Sequence, residues 1–174
     1  MKRHTSDLLK FSAVTALVLG LAACGPGDKG KEPDPKSTSS SIEPGADTET
    51  IVKARQANFK KIGASMKALG EEVKGGTADS DRAKAAIATI VELTADIPEW
   101  FPEGSGPDSG VKTKALPVIW EKWSDFEAIA KQINVDASLV KTRIDAGSVD
   151  NINGPLRRVA SSCKTCHETF KAEK

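Results

Sequence analysis

Beyond residue 50 the apolar positions fall at helical spacing almost without interruption. Phe59, Ile62, Met66, Leu69 and Val73 are separated by threes and fours, which lays them along one face of a helix running from about Ile51. A second such run, Ala83, Ile87, Ile90, Leu93 and Ile97, follows Asp79 and Ser80 as candidate N-caps and is stopped by Pro98. The stretch from Glu99 to about Leu116 is rich in glycine and proline and is expected to be a long loop. A third helix should begin between Pro117 and Ser124, carry Phe126, Ile129, Ile133, Val140 and Ile144, and end at Gly147; its middle, Asn134 to Ser138, is weak for a helix interior. A fourth, from about Val149 to Phe170, puts Val149, Ile152, Leu156, Val159, Cys163 and Phe170 on one side. Gly154-Pro155 lies inside it, where proline removes a backbone hydrogen bond, so this helix either kinks there or starts near Asn153.

Four amphipathic helices with mostly short connections predict an all-α, antiparallel four-helix bundle. No strand pattern competes, because tyrosine is absent and the β-branched residues recur at helical spacing. Ile62, Ile87, Leu93 and Ile133 are expected in its core.

The N-terminal part follows different rules. Lys2, Arg3 and Lys10 precede an apolar run from Phe11 to Ala23, too short for a permanent span of about 20 residues, so residues 1–23 read as an export signal. The run stops at Leu21-Ala22-Ala23-Cys24, which resembles the lipobox of bacterial lipoproteins. That resemblance implies cleavage before Cys24 and lipidation of Cys24 as the new N-terminus; an ordinary signal cut at a nearby small residue is the alternative. Residues 24–49 hold Gly, Pro, Ser, Thr, Asp and Lys with almost nothing to bury, and are expected to form a disordered tether reaching roughly 25–30 Å. Residues 50–174 then make one domain. Removing residues 1–23 takes away Lys2, Arg3, Lys10 and Asp7 and turns the formal net charge of +1 into −1. A near-neutral chain gives no reason to expect nucleic acid as a partner. The expected location is the periplasmic side of a bacterial membrane, anchored by lipid on Cys24. Gly25, in place of the aspartate that favours inner-membrane retention in some Gram-negative bacteria, leans towards the outer membrane.

Chemistry enters near the C-terminus with Cys163-Lys164-Thr165-Cys166-His167, a C-x-x-C-H motif. Thiols three residues apart lie along one helical turn and can add to the two vinyl groups of a haem, while the adjacent imidazole is placed to ligate its iron. The implied cofactor is one haem c, covalent through Cys163 and Cys166, with His167 as metal ligand. A thioredoxin-like pair would follow a strand, whereas these flanks look helical. A structural zinc site needs four ligands, and the chain offers besides these only Cys24 and His4, both far away in sequence. All three cysteines are thereby used, one by lipid and two by thioethers.

With a bundle whose last helix carries this motif, the sequence resembles the cytochrome c′ family from about Glu49 to Lys174. Three blocks carry the likeness: Ala54-Arg55-Gln56-Ala57-Asn58-Phe59-Lys60 with Gly63 to Leu69; Phe101-Pro102-Glu103-Gly104-Ser105 leading to Ala115-Leu116-Pro117-Val118-Ile119-Trp120; and Cys163 to Lys171. The resemblance implies thioethers at Cys163 and Cys166 and a proximal iron ligand at His167. It further implies that Arg55 pairs with a haem propionate, that Gln56 lines that haem edge, that Lys171 lies near the proximal pocket, and that Phe59 stands against the vacant face of the iron. Electron-transfer relatives place a methionine four residues after the arginine as sixth ligand, where this chain has Phe59. After cleavage before Cys24 the chain keeps one methionine, Met66, about 10 Å further along the helix axis, and one histidine, His167; Met66 is expected in the core.

Phenylalanine does not coordinate iron, so a five-coordinate, high-spin haem with an apolar distal side is expected. Such a site suits small uncharged gases, NO and CO, and for the family implies a role in NO sequestration. No distal acid or base is in view, so no enzymatic activity is expected. The alternative function is a membrane-tethered periplasmic electron-transfer cytochrome, its redox partner unknown. The resemblance also implies a homodimer through the first two helices.

Overall fold

The computed structural model describes residues 46–173. The signal segment, Cys24 and the tether up to residue 45 lie outside the described residues. Helix α1 spans Ala46–Gly75, so residues 46–49, assigned from sequence to the tether, are helical. Asp47 and Glu49 sit in its first turn, where carboxylates suit the positive end of the helix dipole, and Glu49 pairs with Lys53 one turn on.

Helix α2, Asp81–Ala95, starts where Ser80 caps it: the Ser80 hydroxyl accepts a hydrogen bond from the Ala83 amide at 3.1 Å. The same hydroxyl donates to Glu72 at 2.8 Å, which ties the cap to the last turns of α1. A short α3, Val118–Glu121, is separated from the long α4, Trp123–Asp145, by a break at Lys122. Gly147, at φ 69°, closes α4 in the left-handed conformation open to glycine. Helix α5 covers Asn153–Phe170, preceded by a 3-10 turn at Val149–Asn151.

Helix α1 packs on α2, α2 on α4 and α4 on α5. These four make the antiparallel four-helix bundle. Among the described residues the only extended pairing is a single antiparallel bridge between Ala115 and Lys171.

Several expectations are refined. The fourth helix does not begin at Val149; it begins at Asn153, and Pro155 falls in its first turn, where a missing amide costs nothing. Ile62, Ile87 and Ile133 are buried, but Leu93 is only half-buried and Thr94 takes the inward position beside it. A threonine can do so because its polar atom is satisfied: its hydroxyl donates to the Ile90 carbonyl at 2.7 Å and accepts from the Asn134 amide at 3.0 Å. Asn134 also donates to the Val91 carbonyl at 2.7 Å. The residue that looked weak in a helix interior therefore bonds α4 to α2, and α4 runs unbroken through Asn134–Ser138.

The core has two parts. One, around Leu69, Ile90, Ile133 and Val159, fills the middle of the bundle. The other is aromatic: Phe101, Phe126 and Phe170 meet edge-on with ring centroids 4.8 and 5.3 Å apart, and Phe59, Trp100 and Trp120 lean on them.

Candidate haem site

Helix α5 presents Cys163, Cys166 and His167 within just over one turn. Both thiols are half-buried and free of disulfides. They reach different parts of the core. Cys163 packs against the Leu69–Val159 cluster and Cys166 against the aromatic one. Burial pushes both thiols upward, Cys166 to about 11 with Cys163 as a lesser cause. His167 is exposed on the helix surface. What burial it has, and then the Lys171 cation, hold its imidazole below the usual value, which favours the neutral form a metal needs. A cavity of about 430 Å3 opens beside it, lined by Cys163, His167, Lys171 and Ala172 among others.

The residues assigned from the first helix converge on the loop between α2 and α3. Arg55 is 3% exposed. Its two terminal nitrogens donate to the Trp100 carbonyl (3.2 Å), the Ser105 hydroxyl (3.1 Å), the Ser105 carbonyl (3.0 Å) and the Thr113 hydroxyl (3.0 Å). The guanidinium carbon lies 4.3 Å from the centre of the Phe101 ring, a cation–π contact. Gln56 is exposed and donates to the Lys112 carbonyl at 3.0 Å. Phe59 packs edge-on against Trp100 at 5.3 Å and against Phe101 at 6.2 Å.

Phe59 and Cys166 thus border one aromatic cluster, from opposite ends of the sequence, and Arg55 caps it through Phe101. Gln56 lies outside that cluster, next to Arg55 along the helix. Met66 packs against the other part of the core, as expected. Trp100, Ser105 and Thr113, which hold Arg55, carried no expected role. Of these only Ser105 falls in a block marked by its family likeness, and a hydroxyl or carbonyl in a loop does not announce which cation it serves.

The residues fit a c-type haem on one further count. Arg55 is a buried cation whose hydrogen-bond and ring partners are all neutral, and among the described residues no carboxylate pairs with it. Burial lowers its pKa to about 10, the mark of a charge that has lost water without gaining an anion. A haem propionate is an anion of the kind such a cation lacks. Cys163 and Cys166 would hold the haem covalently, and His167, on the same turn, would supply a nitrogen ligand.

A four-helix bundle with paired thiols and a histidine on its last helix defines a bundle-type c cytochrome. Comparison with known proteins makes this specific. A sequence model of the family described as Cytochrome C′ matches residues 50–171, and the chain belongs to that family. It is similar to cytochrome c′ of Pararhodospirillum photometricum, 35% identical over 130 residues that cover 72% of this chain and 99% of that one. It is also similar to cytochrome c-556 of Agrobacterium tumefaciens (strain B2A), 33% identical over 124 residues that cover 71% and 98%. Among solved structures it resembles a nitric oxide complex of a variant of cytochrome c prime from Alcaligenes xylosoxidans, with a TM-score of 0.64 and 25% identity over 73% of this chain and 97% of that one. The chain accordingly carries a covalent c-type haem, for which Cys163 and Cys166 are the attachment pair.

Proposed function

We propose that this is a high-spin, five-coordinate c-type cytochrome that binds NO and CO at a membrane surface and sequesters NO. The observation that carries the reading is Phe59, an aromatic ring held against Trp100 and Phe101 at the position where a methionine ligand would otherwise stand. Held by Cys163 and Cys166 and with His167 as its nitrogen ligand, the haem would supply a metal centre able to bind an uncharged diatomic. The chain's part is to keep the Phe59 side apolar and narrow. Phe59, backed by two further rings, excludes water and offers no hydrogen-bond donor to a polarised ligand such as O2. The nitric oxide complex of the Alcaligenes xylosoxidans relative supports the choice of gas.

The test is the absorbance of the ferrous protein before and after NO and CO, with Phe59→Ala alongside. Removing the ring is expected to raise the CO association rate about tenfold, equivalent to about 1.4 kcal/mol off the barrier. Association rates that ignore the substitution would remove Phe59 from the gate. A ferric electron paramagnetic resonance spectrum that is purely low-spin would establish a sixth ligand and leave electron transfer as the function.

The membrane part of the reading rests on Leu21-Ala22-Ala23-Cys24 and the tether that follows. Cells fed a labelled fatty acid are expected to yield labelled, membrane-bound protein, and Cys24→Ala is expected to release it unlabelled, because multiple acyl chains anchor stably. An unlabelled soluble product from the unaltered chain would refute the anchor.

A further inference from the structure

Five residues at the end of the α2–α3 loop, Lys112–Leu116, connect the buried arginine to the end of the haem-bearing helix. On one side, Arg55 donates to the Thr113 hydroxyl at 3.0 Å and Gln56 to the Lys112 carbonyl at 3.0 Å. On the other, the Leu116 amide donates to the Phe170 carbonyl at 3.0 Å and the Ala172 amide to the Lys114 carbonyl at 2.8 Å. Thr113 joins the two sets, because the oxygen that accepts from Arg55 also accepts from the Ala115 amide at 3.1 Å, at the residue that forms the bridge to Lys171. Lys171 in turn donates its amide to the His167 carbonyl at 3.3 Å and lines the cavity beside His167.

We infer that Lys112–Leu116 is a strap that fixes the end of α5 and its His167 from the Arg55 side of the site, with Thr113 as the positioning residue. The geometry favours a coupling role over simple stapling of the C-terminus. A staple needs only the two amide bonds at Leu116 and Ala172. Here the same short segment also receives both polar side chains that α1 directs at the loop, Arg55 and Gln56. A shift of the guanidinium therefore reaches the Lys171 bridge through hydrogen-bonded atoms of one short segment, Thr113 to Ala115. Thr113 touches neither thiol nor imidazole and acts only through Arg55 and Ala115. The inference rests on the haem attachment and not on which gas is bound, so gas binding and the strap can fail separately.

The experiment uses the haem-loaded protein. Thr113→Val keeps the side-chain shape and removes the acceptor. It is expected to speed amide hydrogen exchange about tenfold at residues 114–116 and 171–172, the scale of a modest coupling between sites, and to shift the ferrous iron–histidine stretching band in resonance Raman spectra. Thr113→Ser, which restores the hydroxyl, should return both to the parent values. Exchange at 171–172 and a Raman band unmoved by Thr113→Val would overturn the inference. If Thr113→Val does not assemble, deletion of residues 172–174 pulls the strap from its other end. Coupling is reciprocal, so exchange should then rise in residues 105–113, the loop segment whose two ends, Ser105 and Thr113, bond to Arg55. A rise confined to 114–116 would equally overturn it.

Discussion

Arg55→Ala is expected to destabilise the domain by about 3–5 kcal/mol, read as a fall in the urea midpoint at unchanged slope. Two effects oppose one another here. The cation is buried without a carboxylate among the described residues, so deleting it relieves a desolvation cost, the one that lowers its pKa to about 10. Against this stand four hydrogen bonds to Trp100, Ser105 and Thr113 and the contact with Phe101. Buried acceptors left without a donor cost roughly 1–3 kcal/mol each, which applies to the Ser105 hydroxyl and carbonyl, whereas Thr113 keeps the Ala115 amide; a partly desolvated cation–π contact adds about 0.5–2 kcal/mol. The hydrogen bonds win. Arg55→Lys should recover only part of the loss, because an ammonium is a point charge and does not reproduce the fork that spans three residues of the loop. A loss below about 1 kcal/mol for Arg55→Ala would mean that the loop closes over the gap, and that its order does not depend on the arginine.

The parts of this fold that were legible in the sequence are those set by local physics. Spacings of three and four marked α1, α2, α4 and α5, Ser80 marked the cap of α2, and Gly147 marked the end of α4. The haem motif was legible because thiol chemistry fixes its spacing. What escaped was decided between elements. Leu93 fits the apolar seam by type, but Thr94 is turned inward because Asn134, forty residues away in sequence, completes its hydrogen bonding. The break at Lys122 follows no proline or glycine at that position and shows only in the backbone. The cradle of Arg55 and the bridge from Ala115 to Lys171 join residues more than forty apart, through backbone carbonyls and loop hydroxyls whose partners local sequence does not name. The roles expected of Arg55, Gln56 and Phe59 came from family likeness alone, and what the structure itself shows at the first is that the cation anchors the loop beside the aromatic cluster.

Replacing both thiols, Cys163→Ala with Cys166→Ala, is expected to abolish covalent haem altogether. Denaturing gels stained for haem and acid–organic extraction should both find every haem leaving the polypeptide. Single replacements should retain covalent haem through the remaining thioether, with a displaced pyridine haemochrome maximum, because one vinyl group then stays unsaturated. The two single variants are not equivalent in this fold. Cys163 packs against the cluster of Leu69 and Val159, and Cys166 against that of Phe126 and Phe170, so each thioether ties the cofactor to a different part of the core. Losing the one at Cys166 frees the haem edge next to the aromatic cluster that also holds Phe59, and CO association should change more in Cys166→Ala than in Cys163→Ala. In the double variant any haem is held only by equilibrium binding. A ligand held at a thousand times its dissociation constant contributes about 4 kcal/mol to the folded state, and a contribution of this kind should fall away on dilution in the double variant while persisting in the parent. Haem that survives extraction from the double variant would show a covalent bond to some other side chain and would remove the motif at Cys163–His167 from the centre of the site.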